Sequence, residues 1–141
     1  MGAEDVDLEP GDTLETPART LTEADVVNFA GVSGDFNHLH TDAEKMADSA
    51  FGERVVHGAL VFSVMTGLLW RARDDGAVFY GVDELRWVAS VFIGDTVHVE
   101  MEVLSVEDAD HQDSEALVRQ KAEVVNQDGD VVLACKPLSL I

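Results

Sequence analysis

GALVFSVMTGLLW, residues Gly58 to Trp70, is the longest mostly apolar run of this 141-residue chain. Apolar side chains fall on nearly every side of the helix that this run can form, and only Ser63 and Thr66 interrupt them. A helix that is apolar all round is buried over most of its surface. We therefore expect a central, core-forming helix from Ala59 to about Arg71. The run falls short of the roughly 20 residues that a membrane span needs, which predicts a soluble protein with no membrane partner.

Several segments after this run alternate between apolar and polar residues, as half-buried strands do. Val97 to Val103 follows a Gly94-Asp95 turn, and Val118 to Val124 is followed by an Asp128-Gly129 turn. The other expected strands span residues 131–135, 77–87 and, near the N-terminus, 12–20. The sequence thus predicts an α+β fold, in which a curved antiparallel sheet wraps around the long central helix.

Two short helices are expected before the central one. Thr22 and Asp25 form a capping-box-like start, and the apolar residues that follow recur at helical spacing, which predicts a helix over residues 23–32. A second helix is predicted over residues 42–49, and the segment between the two is expected to be a loop. Further along, the acidic residues between Glu107 and Glu115 predict an exposed loop.

The composition indicates one folded domain. With 46% apolar residues, the chain can bury a substantial core, and we assign residues 12–141 to a single domain. Residues 1–11 are acidic and contain two glycines and a proline, which predicts a flexible N-terminus. Cys135 is the single cysteine, so no internal disulfide is possible. Because the N-terminus has no signal-peptide pattern, we expect a cytoplasmic protein.

The chain is strongly acidic. It has 28 acidic residues against 9 basic ones, a formal net charge of −19, and its only lysines are Lys45, Lys121 and Lys136. No basic stripe offsets the acidic residues, so we expect no nucleic-acid partner. This composition is typical of proteins from salt-accumulating halophiles. We expect mutual repulsion of the acidic groups to destabilise the fold in dilute buffer.

The candidate functional residues lie just before the central helix. Asp35, Asn37 and His40 stand within six residues of one another, and His57-Gly58 follows at the start of the helix. A carboxylate and an imidazole on one short loop can transfer protons together. This grouping predicts an active site.

Each candidate also has a purely structural interpretation. Asp and Asn side chains stabilise turns, and a lone histidine can simply bond within a loop. The hydroxyls of Ser63 and Thr66 can donate to helix carbonyls one turn back. His38 and His40 suggest a metal site, but no third ligand follows a metal-binding pattern, and we expect no metal.

GDFNHLH at residues 34–40, together with VVHG at residues 55–58, resembles the signature of the MaoC-like dehydratases, the (R)-specific enoyl-CoA hydratases of hot-dog fold. The family form is Gly-Asp-x-Asn-Pro-Leu-His, and His38 stands in the position of the proline. The resemblance extends from about Thr13 to the C-terminus and includes VFIGD at residues 91–95. It implies a hot-dog fold and a hydro-lyase that adds water reversibly to a trans-2-enoyl thioester.

The resemblance also implies a role for each candidate. Asp35 and His40 would be the catalytic pair that activates water and carries the proton, with Asn37 supporting them. The Gly58 N–H, at the start of the central helix, would donate to the thioester carbonyl. The remaining implied roles are support of His40 by Thr66 and substrate binding by His57 and Ser63, next to Gly58.

Partners are implied in the same way. Hot-dog subunits pair into one continuous sheet, so a homodimer is expected, with its sites at the interface. Coenzyme A is part of the acyl-CoA substrate, and no separate cofactor is implied. Two alternatives remain open, a hot-dog acyl-CoA thioesterase and a non-catalytic acyl-CoA-binding subunit. The candidate cations for the CoA phosphates are Arg54, Arg71, Arg73, Arg86 and Lys136.

Overall fold

The computed structural model of the chain describes residues 7–72, 76–111 and 113–141. In these ranges we find no helix with the length and apolar character needed to cross a membrane. The elements, in chain order, are β1 (Thr13–Glu15), β2 (Arg19–Thr20), α1 (Glu23–Ser33), α2 (His38–Thr41), α3 (Ala43–Ala47), α4 (Gly58–Ala72), β3 (Val78–Trp87), β4 (Thr96–His111), β5 (Ser114–Val125) and β6 (Val131–Leu140).

The strands form a six-stranded antiparallel sheet. Its order is β1-β4-β5-β6-β3, and β2 pairs with β4. The register shifts within the β4–β5 and β3–β6 pairings, and such bulges bend a strand and increase its twist. The predicted α+β architecture, a curved antiparallel sheet around a long helix, is confirmed.

The core lies between α4 and the sheet. On β4, Val97, Val99 and Val103 are at most 2% exposed, as their alternation predicted. Val97 and Val99 pack in one cluster with six buried α4 residues, which are Leu60, Val61, Val64, Met65, Leu68 and Leu69. The helix is not enclosed on every side, because Ala59, Ser63 and Gly67, at intervals of four residues, remain exposed. The central helix is therefore confirmed, with one narrow solvent-facing stripe.

The structure differs from the expected elements in four places. The single strand expected over residues 12–20 is divided into β1 and β2. The predicted acidic loop is wrong, because Glu107 to Asp110 lie within β4, where Glu107 and Asp108 pair with β5. Backbone pairing in a hairpin does not require apolar side chains, so the strand continues past its apolar pattern. β6 likewise extends beyond the expected residue 135, to Leu140. In the loop expected before the second helix, residues 38–41 form the short helix α2 instead.

A turn precedes β1. The Asp12 N–H donates to the Glu9 carbonyl at 3.0 Å, and the Gly11 N–H donates to the Val103 carbonyl of β4 at 2.8 Å. The backbone is thus attached to the sheet one residue before the expected domain start. Residues 1–6 lie outside the described ranges, and the division into residues 1–11 and 12–141 stays a prediction.

Candidate active site

The loop that carries the candidate residues begins where α1 ends. α1 starts in a capping box between Thr22 and Asp25, and it ends at Gly34, whose φ is 78° and whose N–H donates to the Ala30 carbonyl. Glycine adopts this left-handed conformation at little cost. The chain therefore leaves the helix axis at Gly34, and Asp35 is the first residue of the turn that follows.

The side chains of Asp35 and Asn37 shape this turn. The Asn37 N–H donates to Asp35 Oδ1 at 3.1 Å, and the Leu39 N–H donates to Asn37 Oδ1 at 2.9 Å. Asn37 is thereby the N-cap of α2, the short helix that carries His40. The structural interpretation of both residues is confirmed, and it leaves the second carboxylate oxygen of Asp35 available for chemistry.

His38 occupies the first helical position of α2, where proline is also favoured. Asn37 has φ −55° and ψ 145°, the extended geometry that a following proline imposes. The Asn37 cap on Leu39 holds this geometry without the proline. The turn therefore keeps its conformation with histidine at position 38.

Asp35 and His40 face each other. His40 Nε2 lies 3.5 Å from Asp35 Oδ2, and the side chains are 9% and 49% exposed, respectively. His40 Nδ1 lies 2.7 Å from the Val55 carbonyl oxygen, which can only accept a hydrogen bond, so Nδ1 carries the hydrogen. In the neutral ring, Nε2 is then the unprotonated nitrogen. The arrangement is a base with a fixed ring orientation beside an accessible carboxylate.

His57 lies behind this pair. Its ring stacks on that of His40, with centroids 3.7 Å apart and planes inclined by 24°, and the Phe29 ring lies edge-on to it with centroids 5.0 Å apart. His57 Nε2 lies 3.0 Å from the backbone carbonyl oxygen of Asp35. The residue is only 2% exposed. The imidazole thus makes its contacts within the protein, and the expected substrate-binding role of His57 stays a prediction.

α4 begins at Gly58, directly after His57. The first N–H groups of a helix have no acceptor within it, and the rest of the described chain offers the Gly58 N–H none. The Trp87 indole N–H donates to the Gly58 carbonyl at 2.8 Å, and a Cβ on residue 58 would lie 2.7 Å from that indole nitrogen. Glycine is therefore required here, and the helix N-terminus presents a free donor to a developing negative charge.

Ser63 and Thr66 follow along α4. Ser63 Oγ donates to the Ala59 carbonyl at 2.8 Å, and Thr66 Oγ1 donates to the Ser63 carbonyl at 2.7 Å. At 1.5 Å per residue, Thr66 lies about 12 Å along the helix axis from Gly58. There it lines a small cavity with Gln120 and Ser139. Both hydroxyls bond to the helix backbone, and the support of His40 by Thr66 stays a prediction.

Sequence reasoning missed an ion pair beside the site. Arg54 binds the Glu23 carboxylate with both terminal nitrogens, and its Nη1 also lies 3.4 Å from the His40 carbonyl oxygen. The hydrogen bonds from Arg54 lower the pKa of the Glu23 carboxyl below its ordinary value. Arg54 and Glu23 are 31 residues apart, and no local motif marks such a pair. The same holds for Val55, whose carbonyl orients His40.

Asp35, His40 and His57 lie close enough for each to offer an atom to one ion. However, His40 Nδ1 and His57 Nε2 each face a backbone carbonyl, and His57 Nδ1 is buried. Because the two rings are stacked, their lone pairs do not converge on one point. The donor set fits proton transfer better than metal binding, and a site without a metal stays our expectation.

The sheet wrapped around α4 defines a hot-dog fold, and its carboxylate–imidazole pair is a site equipped for general acid–base chemistry. The chain belongs to the MaoC-like domain family, whose model matches residues 5–126. The family resemblance seen in the sequence is thus confirmed.

Three similar proteins support this assignment. Protein MaoC of Klebsiella aerogenes is 47% identical over 96 residues, which cover 67% of this chain and 29% of that protein. The (R)-specific enoyl-CoA hydratase of Aeromonas caviae is 39% identical over 83 residues, 59% of this chain and 62% of the relative. The chain thus matches less than two thirds of either relative. The solved structure of a monoamine oxidase regulatory protein from Archaeoglobus fulgidus has a TM-score of 0.88 and 33% identity, and the match covers 100% and 94% of the two chains.

Proposed function

We propose that this protein is an (R)-specific enoyl-CoA hydratase, a hydro-lyase that adds water reversibly to a trans-2-enoyl thioester. The observation that carries the proposal is the 3.5 Å approach of His40 Nε2 to Asp35 Oδ2. Membership of the MaoC-like family and the name of the Aeromonas relative support the substrate class. We place the reaction in the fatty acid metabolism of the cytoplasm.

The proposed mechanism follows from the geometry. A water molecule held by His40 Nε2 and Asp35 Oδ2 transfers a proton to this pair while its oxygen bonds to C3 of the enoyl group. The π electrons shift through C2 to the carbonyl oxygen, where negative charge develops and the Gly58 N–H stabilises it. The pair then returns the proton to C2, which completes the addition of one water. Dehydration is the reverse sequence.

A groove beside Gly58 is the proposed path of the thioester arm. It encloses about 290 Å³ and includes Phe51, Trp87 and Val88, three exposed apolar side chains. Apolar walls next to a few oriented polar groups are typical of small-molecule sites. The groove therefore suits an acyl thioester that reaches the helix N-terminus from the surface.

The cations proposed for the CoA phosphates differ in availability. Arg54 binds Glu23, and Lys136 Nζ lies 2.8 Å from Glu84, so both already have anionic partners. We propose Arg71 and Arg86 as phosphate contacts. Arg73 lies outside the described residues.

We propose that the protein works as a homodimer joined through β3. This strand is ten residues long and lies at an edge of the sheet. Its side chains Val78, Tyr80 and Trp87 are 60%, 51% and 52% exposed. A long apolar edge with unpaired backbone groups favours pairing with another strand. Pairing of β3 with β3 would continue the sheet across two subunits.

The dimer is tested by placing charges on this edge. We expect light scattering to give twice the 15.3 kDa chain mass for the wild type and one chain mass for the Val78→Lys/Tyr80→Lys variant. Leu104→Lys, on β4, which β5 and β6 separate from β3, is the matched control and should stay dimeric. A dimeric double variant would place the interface elsewhere.

The activity is tested with crotonyl-CoA, in low and in high salt. We expect hydration to an (R)-3-hydroxyacyl product, and Asp35→Asn or His40→Ala should lower kcat by roughly 10²–10⁴-fold with the fold intact. Asp48→Asn and His38→Ala, which change exposed residues of the same types nearby, should retain the activity. Unchanged turnover in Asp35→Asn or His40→Ala would remove the assignment.

The same assay identifies the alternatives. Release of free thiol without hydration would identify a thioesterase, and binding without turnover would identify a non-catalytic acyl-CoA-binding subunit.

A further inference from the structure

We propose that His57 is a positioning residue that holds Asp35 and His40 in their mutual geometry. The inference rests on the proposed function, since it assigns a new role beside the same pair. Two contacts of the His57 ring carry it, a hydrogen bond to the Asp35 backbone and a stack on His40. Neither contact involves substrate, so His57 acts only through the other two residues.

The hydrogen bond fixes the Asp35 turn to the start of α4. His57 Nε2 lies 3.0 Å from the Asp35 carbonyl oxygen, across 22 residues of sequence. Because a carbonyl only accepts, Nε2 carries the hydrogen. The other hydrogen bonds of Asp35 are local, since its N–H donates to Ser33 Oγ and its Oδ1 accepts from the Asn37 N–H. The His57 bond is therefore the one that connects Asp35 to a distant, buried part of the chain.

The stack limits the tilt of the His40 ring. The His40 Nδ1 bond to Val55 sets the direction of the ring within its plane, but the ring can still rock about this bond. The His57 ring lies against one face of His40, with centroids 3.7 Å apart. Rocking toward His57 is blocked, so His40 Nε2 stays directed at Asp35.

The two stacked rings have opposite tautomers. His40 carries its hydrogen on Nδ1, whereas His57 carries it on Nε2. His57 Nδ1 is buried and has no hydrogen-bond partner within the described chain, so a proton placed there would have no acceptor. Protons therefore pass through His40 Nε2, and the His57 ring remains a fixed support.

Two substitutions separate the two contacts. His57→Phe keeps a ring against His40 but removes the donor to Asp35, and His57→Gln keeps a donor but removes the ring. A misplacement of about 1 Å near reacting groups can cost about 100-fold in rate. We expect His57→Phe to lower kcat about 100-fold with KM within twofold, and His57→Gln to recover kcat to within about tenfold of the wild type.

Phe29→Leu is the matched control, because it loosens the packing against His57 and leaves both contacts in place. We expect this variant to lose thermal stability while keeping kcat near the wild-type value. A His57→Phe kcat within threefold of the wild type would overturn the proposal. Equal losses of kcat in His57→Phe and Phe29→Leu would also overturn it, since they would indicate packing alone.

A second measurement does not depend on catalysis. In ¹⁵N NMR spectra of the substrate-free wild type, we expect the Nε2–H tautomer for His57 and the Nδ1–H tautomer for His40. Amide hydrogen exchange at Asn37 and Leu39 should be at least about tenfold faster in His57→Phe and unchanged in Phe29→Leu. An Nδ1–H tautomer of His57, or unchanged exchange in His57→Phe, would refute the inference.

The two measurements distinguish the possible failures. A wild type that does not hydrate enoyl-CoA refutes the proposed function, and the NMR results then decide the role of His57 alone. If His57→Phe does not fold, the wild-type tautomers and the exchange rates of His57→Gln decide in its place. We expect His57→Gln to keep the amide exchange protection of Asn37 and Leu39 and to turn over rapidly. Loss of this protection would contradict the proposed hydrogen bond from residue 57 to the Asp35 carbonyl.

Discussion

Asp35 divides its two carboxylate oxygens between structure and chemistry. Oδ1 accepts the Asn37 N–H and closes the turn, while Oδ2 faces His40 Nε2. The hydrogen bond from the Asn37 N–H fixes the position of Oδ1, and Oδ2 of the same carboxylate is then fixed as well. The turn motif and the proposed catalytic motif are therefore the same residues in one conformation.

The position of His38 leads to a stability prediction. Asn37 already has extended geometry, and the hydrogen bonds of the described chain do not use the His38 N–H. Proline at a position whose native backbone it can adopt stabilises a fold by about 0.4–1 kcal/mol, since it restricts the unfolded chain. We expect His38→Pro to raise the unfolding temperature by roughly 1–4 °C and to keep enoyl-CoA hydration.

His38→Ala is the control for this change, since it removes the imidazole without restricting the backbone. It should leave the unfolding temperature nearly unchanged. A lower unfolding temperature in His38→Pro would mean that the start of α2 differs from the geometry that proline requires. Thermal denaturation of the three proteins at equal concentration measures the difference.

At the scale of the elements, the period of the apolar residues predicted the helix and strands that pack into the core. It missed the strand residues that are held by backbone pairing alone. The alternation of Val97 to Val103 predicted β4, and the apolar run from Gly58 predicted α4. Glu107 to Asp110 continue β4 without any apolar pattern, because Glu107, Asp108 and then His111 pair with β5. Gln120 was missed as a core position although it is 1% exposed, because glutamine rarely occupies one.

The site was predictable to the extent that it lies within one motif. Asp35, Asn37 and His40 form a local turn, so their spacing sufficed to bring them together. The contacts from Val55 and His57 join segments 15 and 22 residues apart and depend on the tertiary fold. The sequence therefore indicated the reacting groups, and it could not show what orients them.

The sheet contains a row of like charges that gives an element-scale prediction. Glu100 of β4 is directly opposite Glu15 of β1 and Glu123 of β5. Like charges directly opposite each other destabilise a sheet, with cross-strand pairs amounting to roughly 0.2–1 kcal/mol. We expect Glu100→Gln to raise the free energy of unfolding by about 0.5 kcal/mol in 0.05 M KCl and by much less in 2 M KCl.

The loss of one neighbouring contact opposes this gain. His98 Nε2 lies 3.2 Å from Glu100 and 3.7 Å from Glu15, so the variant still leaves His98 a carboxylate. Glu53→Gln removes the same charge from an exposed loop and serves as the matched control. An equal gain in the free energy of unfolding for Glu53→Gln and Glu100→Gln would mean that the effect comes from the net charge and not from the row of opposed glutamates. Urea denaturation at both salt concentrations provides the comparison.

At the scale of the whole molecule, the acidic surplus exceeds what ion pairing can neutralise. The net charge is −19, and five of the nine basic residues already bind carboxylates within the described chain. The unpaired acidic groups repel one another through solvent. This repulsion extends over about 10 Å at 0.1 M salt and about 3 Å at 1 M salt.

We therefore expect the free energy of unfolding to rise as KCl increases from 0.05 M to 2 M, because screening removes repulsion that opposes the compact state. Urea denaturation at fixed protein concentration measures it, since urea adds no ions and the proposed dimer couples stability to concentration. Cys135 gives an independent probe, because it is 3% exposed and burial raises the pKa of its thiol to about 11, so that a thiol reagent reaches it only on unfolding. Sucrose stabilises a protein by exclusion from its surface and does not screen charge. A comparison of KCl with sucrose therefore separates charge screening from stabilisation by surface exclusion. A protein that keeps its unfolding free energy, its thiol protection and its activity after dialysis into low salt would refute the halophilic interpretation of the composition.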